Sequence, residues 1–199
     1  MNLTIEQNKL LIRKFPFLLP RNVWTDKLSE DYDYTYIKGI GEVPEGWERL
    51  FLLYCKNMRK ELIKYNYLDD FRFTQIKEKY GSMRLYNNGI PKDSNCDNLE
   101  YIYDHLSTYV CEYCGNPAKY ISKGWVTQFC KECFVKSFPD ENPDKTYFKK
   151  GNKKYKLIIH GFRNREEYKE EIPCKEYWDE YIKCLKMNDE QFLNYIIED

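Results

Sequence analysis

Apolar side chains recur along this chain in two rhythms, one of three and four residues and one of two. Trp47, Leu50, Phe51, Tyr54, Met58 and Leu62 follow the first and predict an amphipathic helix over 47–65. Leu99, Ile102, Leu106 and Tyr109 predict another over 97–109, delivering the chain directly into Cys111. Tyr177, Trp178, Tyr181, Ile182 and Leu185 predict a third, starting near Pro173, a residue suited to a first helical position. A last helix opens at Asn188, with Gln191 three residues on, and buries Phe192, Tyr195 and Ile196. At the other end Thr4 and Gln7 stand in the capping-box relation, which predicts a short helix over 4–14.

The two-residue rhythm is weaker. Tyr32, Tyr34 and Tyr36 alternate with polar residues, as in a half-buried strand or, alternatively, a stacking surface. Residues 71–87 read as a β-hairpin turning at Gly81-Ser82, with a helix through Phe73, Ile76 and Tyr80 as the competing reading. Residues 146–160 read as a second hairpin, turning at Gly151-Asn152. In F-P-F-L-L-P, Pro16 and Pro20 disfavour helix and predict an extended segment laid over the core. Together these elements predict an α+β fold of short antiparallel hairpins packed with helices. The turn-rich break P-D-E-N-P-D divides it into residues 1–138 and a C-terminal lysine-rich hairpin plus two helices over 139–199.

Composition narrows the function classes. The 199 residues are 42% hydrophobic and 17% aromatic, enough to build a core rather than a disordered chain. Lys+Arg and Asp+Glu are equal at 32 each, so bulk charge gives no case for nucleic-acid or membrane attraction. Locally the balance breaks: 111–156 carries a net charge of +5 and 162–199 a net charge of −5. No run approaches the ~20 apolar residues of a membrane span, and M-N-L-T-I-E-Q lacks the features of a signal peptide. The expected compartment is therefore a reducing cytoplasm, where eight cysteines are thiols rather than disulfides. Cys55, Cys96, Cys174 and Cys184 are then expected to be small buried hydrophobes.

The remaining four carry the one specific motif. Cys111, Cys114, Cys130 and Cys133 form C-x2-C-x15-C-x2-C, the spacing of a four-thiolate, zinc-ribbon-like Zn2+ site over 111–133. Gly115 follows the first pair, and Lys123-Gly124 can turn the chain back toward the second. Four cysteines fill a tetrahedral shell, so the expected zinc is structural and not catalytic. His105, six residues before Cys111, is not forced into the site, and no H-x-E of the zinc-deaminase type precedes the cysteines. Phosphate-loop, dinucleotide, nucleophile-elbow and H-E-x-x-H motifs are absent, and no catalytic residue is singled out.

Two sets of residues are candidates for binding. Lys149, Lys150, Lys153 and Lys154, interleaved with Tyr147, Phe148 and Tyr155, have the make-up of a phosphate-binding surface with stacking rings. A solvated edge hairpin accounts for the same lysines. Gln75, Lys77, Lys79 and Arg84 could converge on an anion, or could simply be the wet face of their hairpin.

Taken in order, F-P-F-L-L-P-R-N-x-W-T at 15–25, P-E-G-W at 44–47, Q-I-K-E-K-Y-G-S-M-R-L-Y at 75–86 and the cysteine blocks 111–118 and 124–133 resemble a group of small, largely uncharacterised proteins of bacteriophages, prophages and gut bacteria. The resemblance spans about residues 10–135. Ser82-Met83 departs from the group's usual small or apolar pair after the glycine, and the chain beyond about 140 is peculiar to this protein. It implies a phage or mobile-element setting, the cytoplasm of a host bacterium and a structural zinc on the four cysteines; it supplies no catalytic residues. The expected function is a zinc-stabilised, non-enzymatic binding protein, active in counter-defence by occupying a host protein or sequestering a signalling nucleotide. The alternatives are a nucleic-acid-binding accessory protein using the lysine/aromatic segment, and a hydrolase of unrecognised type. None of these patterns fixes an oligomeric state.

Overall fold

A computed structural model describes residues 1, 3–22, 24–25, 27–28, 41–151, 153–163 and 166–198. The chain is mixed α+β, as its two rhythms predict. The organising element is α2 (Glu48–Lys64), and it is buried on more than the one expected stripe. Leu52, Leu53 and Cys55 are as inaccessible as Leu50, Phe51, Tyr54 and Met58, because neighbours lie on several sides. α3 (Cys96–Ser107), α6 (Lys175–Cys184) and α7 (Asp189–Ile197) all pack on α2. The two helices from beyond the 139–144 break therefore enter the same buried cluster as α2, through Trp178, Tyr181, Phe192 and Ile196. All four cysteines outside the C-x2-C pairs are buried there, as small hydrophobes.

Capping follows the sequence closely. α1 (Ile5–Lys14) has the full Thr4/Gln7 capping box, and α7 has the same box from Asn188 and Gln191. Pro173 ends a strand instead of starting α6, which begins at Lys175. Around Pro16 the expected extended segment is a 3₁₀ turn, Pro16–Leu18, because the fixed φ of proline suits a first helical position. The turn buries Phe17, whose ring meets Phe71 and Phe73 edge-on at 5.3 and 5.6 Å. The alternating Tyr32, Tyr34 and Tyr36 lie outside the described residues.

Residues 71–87 do form the hairpin, β1 (Phe73–Lys79) with β2 (Ser82–Asn87). Its turn is Tyr80-Gly81, one residue earlier than expected: Lys79 pairs with Ser82, and both turn residues have positive φ, at 54° and 70°. A two-residue turn of this hand matches strand twist, and glycine fills its second position without strain.

The second expected hairpin is not formed. β5 (Phe148–Lys149) and β6 (Lys156–Arg163) do not pair with each other. β5 joins β3 (Tyr120–Ile121), which also pairs with β4 (Gln128–Phe129). β6 instead pairs along its whole length with β7 (Glu166–Pro173). The sequence pattern places β5 and β6 but no strand at β7, and it pairs β5 with its nearest neighbour in sequence instead of its neighbour in space.

A single arginine ties the last two helices to α2. Arg49 donates to the carbonyls of Cys184 and Met187 at 2.6 and 2.9 Å, pairs with Asp189 at 2.7 Å, and lies over the Phe192 ring. It thus supplies a cation at the C-terminus of α6, where unpaired carbonyls collect. Arg49→Ala is expected to cost about 2 kcal/mol and lower Tm by roughly 4–8 °C; an unchanged Tm would mean that packing and the Lys56 bonds to the Tyr195 and Glu198 carbonyls hold this junction without it.

Candidate metal centre and lysine cleft

The first cysteine pair sits on a tight backbone loop. Val110 bridges Pro117, Cys111 N–H donates to the Asn116 carbonyl at 2.8 Å, and Gly115 N–H donates to the Cys111 carbonyl at 3.0 Å. Gly115 takes a φ of 78°, as a loop closing this sharply requires. The chain then runs through β3, a loop held by Ser122, and β4. Ser122 Oγ accepts from the Thr127 N–H at 2.7 Å, and Gly124 turns with a φ of 82°. The second pair lies at the start of α4 (Lys131–Ser137), with Cys130 as N-cap accepting from the Cys133 N–H at 3.4 Å. A second, small core of Tyr120, Phe129 and Phe134 backs the module. Tyr147, which follows the short helix α5 (Pro143–Thr146), closes on Phe134 edge-on at 4.2 Å.

This arrangement brings all four sulfurs within 4.8 Å of one another, with Cys114 and Cys130 Sγ 3.6 Å apart. Tetrahedral metal–sulfur bonds of about 2.3 Å place sulfurs about 3.8 Å apart, so the four residues fit one ion. Without a metal, the electrostatics favour the neutral thiol at two of the four positions. Burial and neighbouring thiols push Cys133 up to about 12, and Cys130 is raised still further, burial again being the main cause. Burial also disfavours the Cys114 thiolate, but backbone and thiol hydrogen bonds outweigh it and move that pKa down. Holding all four as thiolates this close would take a cation, and a four-cysteine shell can hold a metal ion with no position left open.

The module is clamped to the main core from three sides. Gly46, in the 3₁₀ turn Glu45–Trp47, donates to the Glu112 carbonyl at 2.9 Å. Trp47 Nε1 donates to the Val110 carbonyl at 3.0 Å, and Tyr181 of α6 donates to the Gly115 carbonyl at 2.6 Å. On the third side Gln128 is buried against the β1–β2 turn, its Nε2 donating to the Gly81 carbonyl at 3.0 Å. Its backbone N–H donates to Glu112, a carboxyl that burial raises to about 7.

The sequence candidates divide in space. Lys77 donates to Gln75 at 2.6 Å and lies over Tyr86; Lys79 lies over Tyr80; Arg84, across the strand from Lys77, is ion-paired with Asp104. These four already have partners on their own hairpin and α3. Lys79 and Arg84 line a cleft of about 400 Å³ whose walls also carry Glu100 and Asp104; Lys149, Lys150 and Lys154 line a separate one of about 270 Å³, together with Lys119, Tyr109 and Trp178 and without a carboxylate. Lys153 contributes its carbonyl, 3.2 Å from His105 Nε2. Lys150 reaches inward, donating to Gln128 Oε1 at 3.1 Å with its ammonium 4.5 Å above the Tyr109 ring. Burial lowers its pKa to about 8.

Lys119, Gln128 and Trp178 were not singled out as binding candidates. Lys119 is reached only through the β3–β5 pairing, in which Lys150 N–H donates to the Lys119 carbonyl at 2.9 Å. No sequence periodicity carries that information. Comparison with family models, with curated proteins and with solved structures finds no match for this chain.

Proposed function

We propose that this is a zinc-stabilised binding protein of phage or mobile-element origin that acts without catalysis, by holding a phosphate-bearing ligand at its lysine cleft. The observation that carries the reading is the gathering of Lys119, Lys149, Lys150 and Lys154 about one cleft. Lys149, Lys150 and Lys154 share one segment, and Lys119 joins them from another because β5 pairs with β3 as the third strand of the module. Amines arranged this way attract and orient phosphate oxygens. A four-thiolate site beside it has no open coordination position, so the metal's part is to hold the strands in place. Sequestering a signalling nucleotide of the host fits this chemistry, and the counter-defence role follows from the resemblance of residues 10–135 to phage and prophage proteins.

A second reading, binding of single-stranded nucleic acid, is favoured by exposed rings on the segments that carry β3, β4 and β5. Trp125 is 80% and Phe148 61% exposed, and the Lys123 ammonium lies 5.7 Å from the Phe148 ring centroid. Exposed rings beside lysines suit base stacking along a strand.

Fluorescence anisotropy against nucleotides and labelled single strands tests both. Binding to a strand is expected to fall about 50-fold between roughly 50 and 200 mM salt, as neutralising about four phosphates requires. Absence of binding to any phosphate-bearing ligand, at low salt and with metal present, would remove both readings.

A further inference from the structure

We propose that the cleft over Tyr109 and Trp178 is a phosphate site in which Lys150 is the central cation, with Lys119, Lys149 and Lys154 at its rim. This rests on the reading above and names the group that does the binding. Lys150 is the lysine that the fold has drawn in. It leaves the sheet edge at β5, loses solvent against Tyr109, and has no carboxylate partner among the described residues. Among the described residues the hydrogen-bonding partner of its ammonium is the neutral amide oxygen of Gln128. That amide is itself fixed, because its nitrogen is committed to the Gly81 carbonyl. An ammonium has three donors; Gln128 takes one and the Tyr109 face covers another side, which leaves a donor for an oxygen of the ligand.

A partly buried cation without an anion is unfavourable unless something compensates it. Among the described residues that line the cleft, none is acidic. His105 and Tyr109 approach from α3, Lys119 and Gln128 from the ribbon, Lys149 and Lys154 from its own segment and Trp178 from α6. His105 is itself held toward its neutral form by burial. Among the described residues every group that lines the cleft is thus neutral or basic; Glu132, within electrostatic reach of Lys119 alone, is the exception at the rim, and Lys150 is left without an anion. A cleft of about 270 Å³ with four lysines on its walls suits a compact, multiply charged oxyanion such as a phosphate.

The experiment compares wild type with Lys150→Met and Lys150→Arg, using a nucleoside triphosphate, its unphosphorylated nucleoside and a short labelled oligodeoxyadenylate. Wild type is expected to bind the phosphorylated probes and not the nucleoside. Lys150→Met should bind about tenfold or more weakly, as loss of one charged hydrogen bond implies. Its Tm should be unchanged or higher, since the apolar stem stays and an uncompensated charge goes. Lys150→Arg should retain binding. A charged ligand favours protonated Lys150, so wild-type affinity for the oligomer should fall as pH rises through about 8, with proton uptake on binding. With Lys150→Arg that pH dependence should be lost. Tighter binding of the triphosphate would identify a nucleotide ligand; tighter binding of the oligomer would identify a strand. If wild type binds but Lys150→Met binds equally well, this site is wrong and the broader reading stands. If wild type binds neither phosphorylated probe, both fall. A Lys150→Met variant with lowered Tm and unaltered affinity would make Lys150 a structural lysine.

Discussion

Chelation of the metal at neutral pH is expected to unfold the segment from Cys111 to Cys133 and to lower the Tm of the whole protein by at least about 10 °C. The magnitude follows from how little else holds the module. Its strands β3, β4 and β5 are two residues each, and its own core contains three buried side chains, Tyr120, Phe129 and Phe134. A core of that size does not sustain a fold. Structural zinc contributes about 10–16 kcal/mol in isolated fingers, comparable with the entire stability of an ordinary domain, about 5–15 kcal/mol. The loss spreads because the module is not a pendant. Trp47 and Tyr181, both fully buried in the main core, donate to carbonyls at Val110 and Gly115 and would lose those acceptors. Cys111→Ser should reproduce the effect, with Cys111 inaccessible and unable to be replaced by a water ligand. Acidification should act in the same direction, since protons compete with the metal for thiolates and stability is lost as pH falls. Native mass spectrometry should find one zinc per chain, and hydrogen exchange should show 111–133 opening first on chelation. A metal-free, soluble protein with an unchanged Tm would defeat the assignment.

The cysteine spacing made the metal centre legible because C-x2-C is a local constraint: a loop closed by Cys111 and Gly115 is written in five consecutive residues. Helices were legible for the same reason, and the α1 and α7 caps were placed to the residue. Pairing across distance was not. Nothing in Tyr147-Phe148-Lys149 distinguishes a partner at β3 from one at β6, because both registers satisfy alternation. What decides is the ring of Tyr147 packing on Phe134, a contact between separate segments that no local pattern encodes. The lysine cleft inherits that dependence. Its amines were individually conspicuous, but Lys119 and Trp178 joined them only through β3–β5 pairing and the docking of α6. Gln128 was invisible for a related reason: a buried glutamine between two apolar segments looks like any polar strand residue until its amide is seen bridging Gly81 and Lys150.

Gly46→Ala should weaken metal binding about 10- to 100-fold although Gly46 is no ligand and lies far from the cysteines in sequence. A methyl group at this position would meet the Cys111 carbonyl oxygen at 2.1 Å and the Glu112 carbonyl carbon and Gly115 nitrogen at 2.7 Å each. All three are backbone atoms of the loop that carries Cys111 and Cys114, so no side chain can swing aside. Either the loop shifts, spoiling the positions of two thiolates, or the Glu45–Trp47 turn withdraws and breaks both the Gly46–Glu112 bond and the Trp47–Val110 bond. Displacing groups that orient metal ligands costs affinity on this scale. The glycine in P-E-G-W is therefore required by close approach, since its φ is not in the left-handed region. Competition against a chromophoric chelator reads the effect, with Gly151→Ala as the comparison, because a methyl group there meets nothing within 4 Å. Gly151→Ala should change stability by no more than about 0.5 kcal/mol and leave metal affinity as it is. Equal affinities for wild type and Gly46→Ala would mean that the α2 turn merely abuts the metal loop. A selective loss would make the junction between the main core and the zinc module part of the metal site itself.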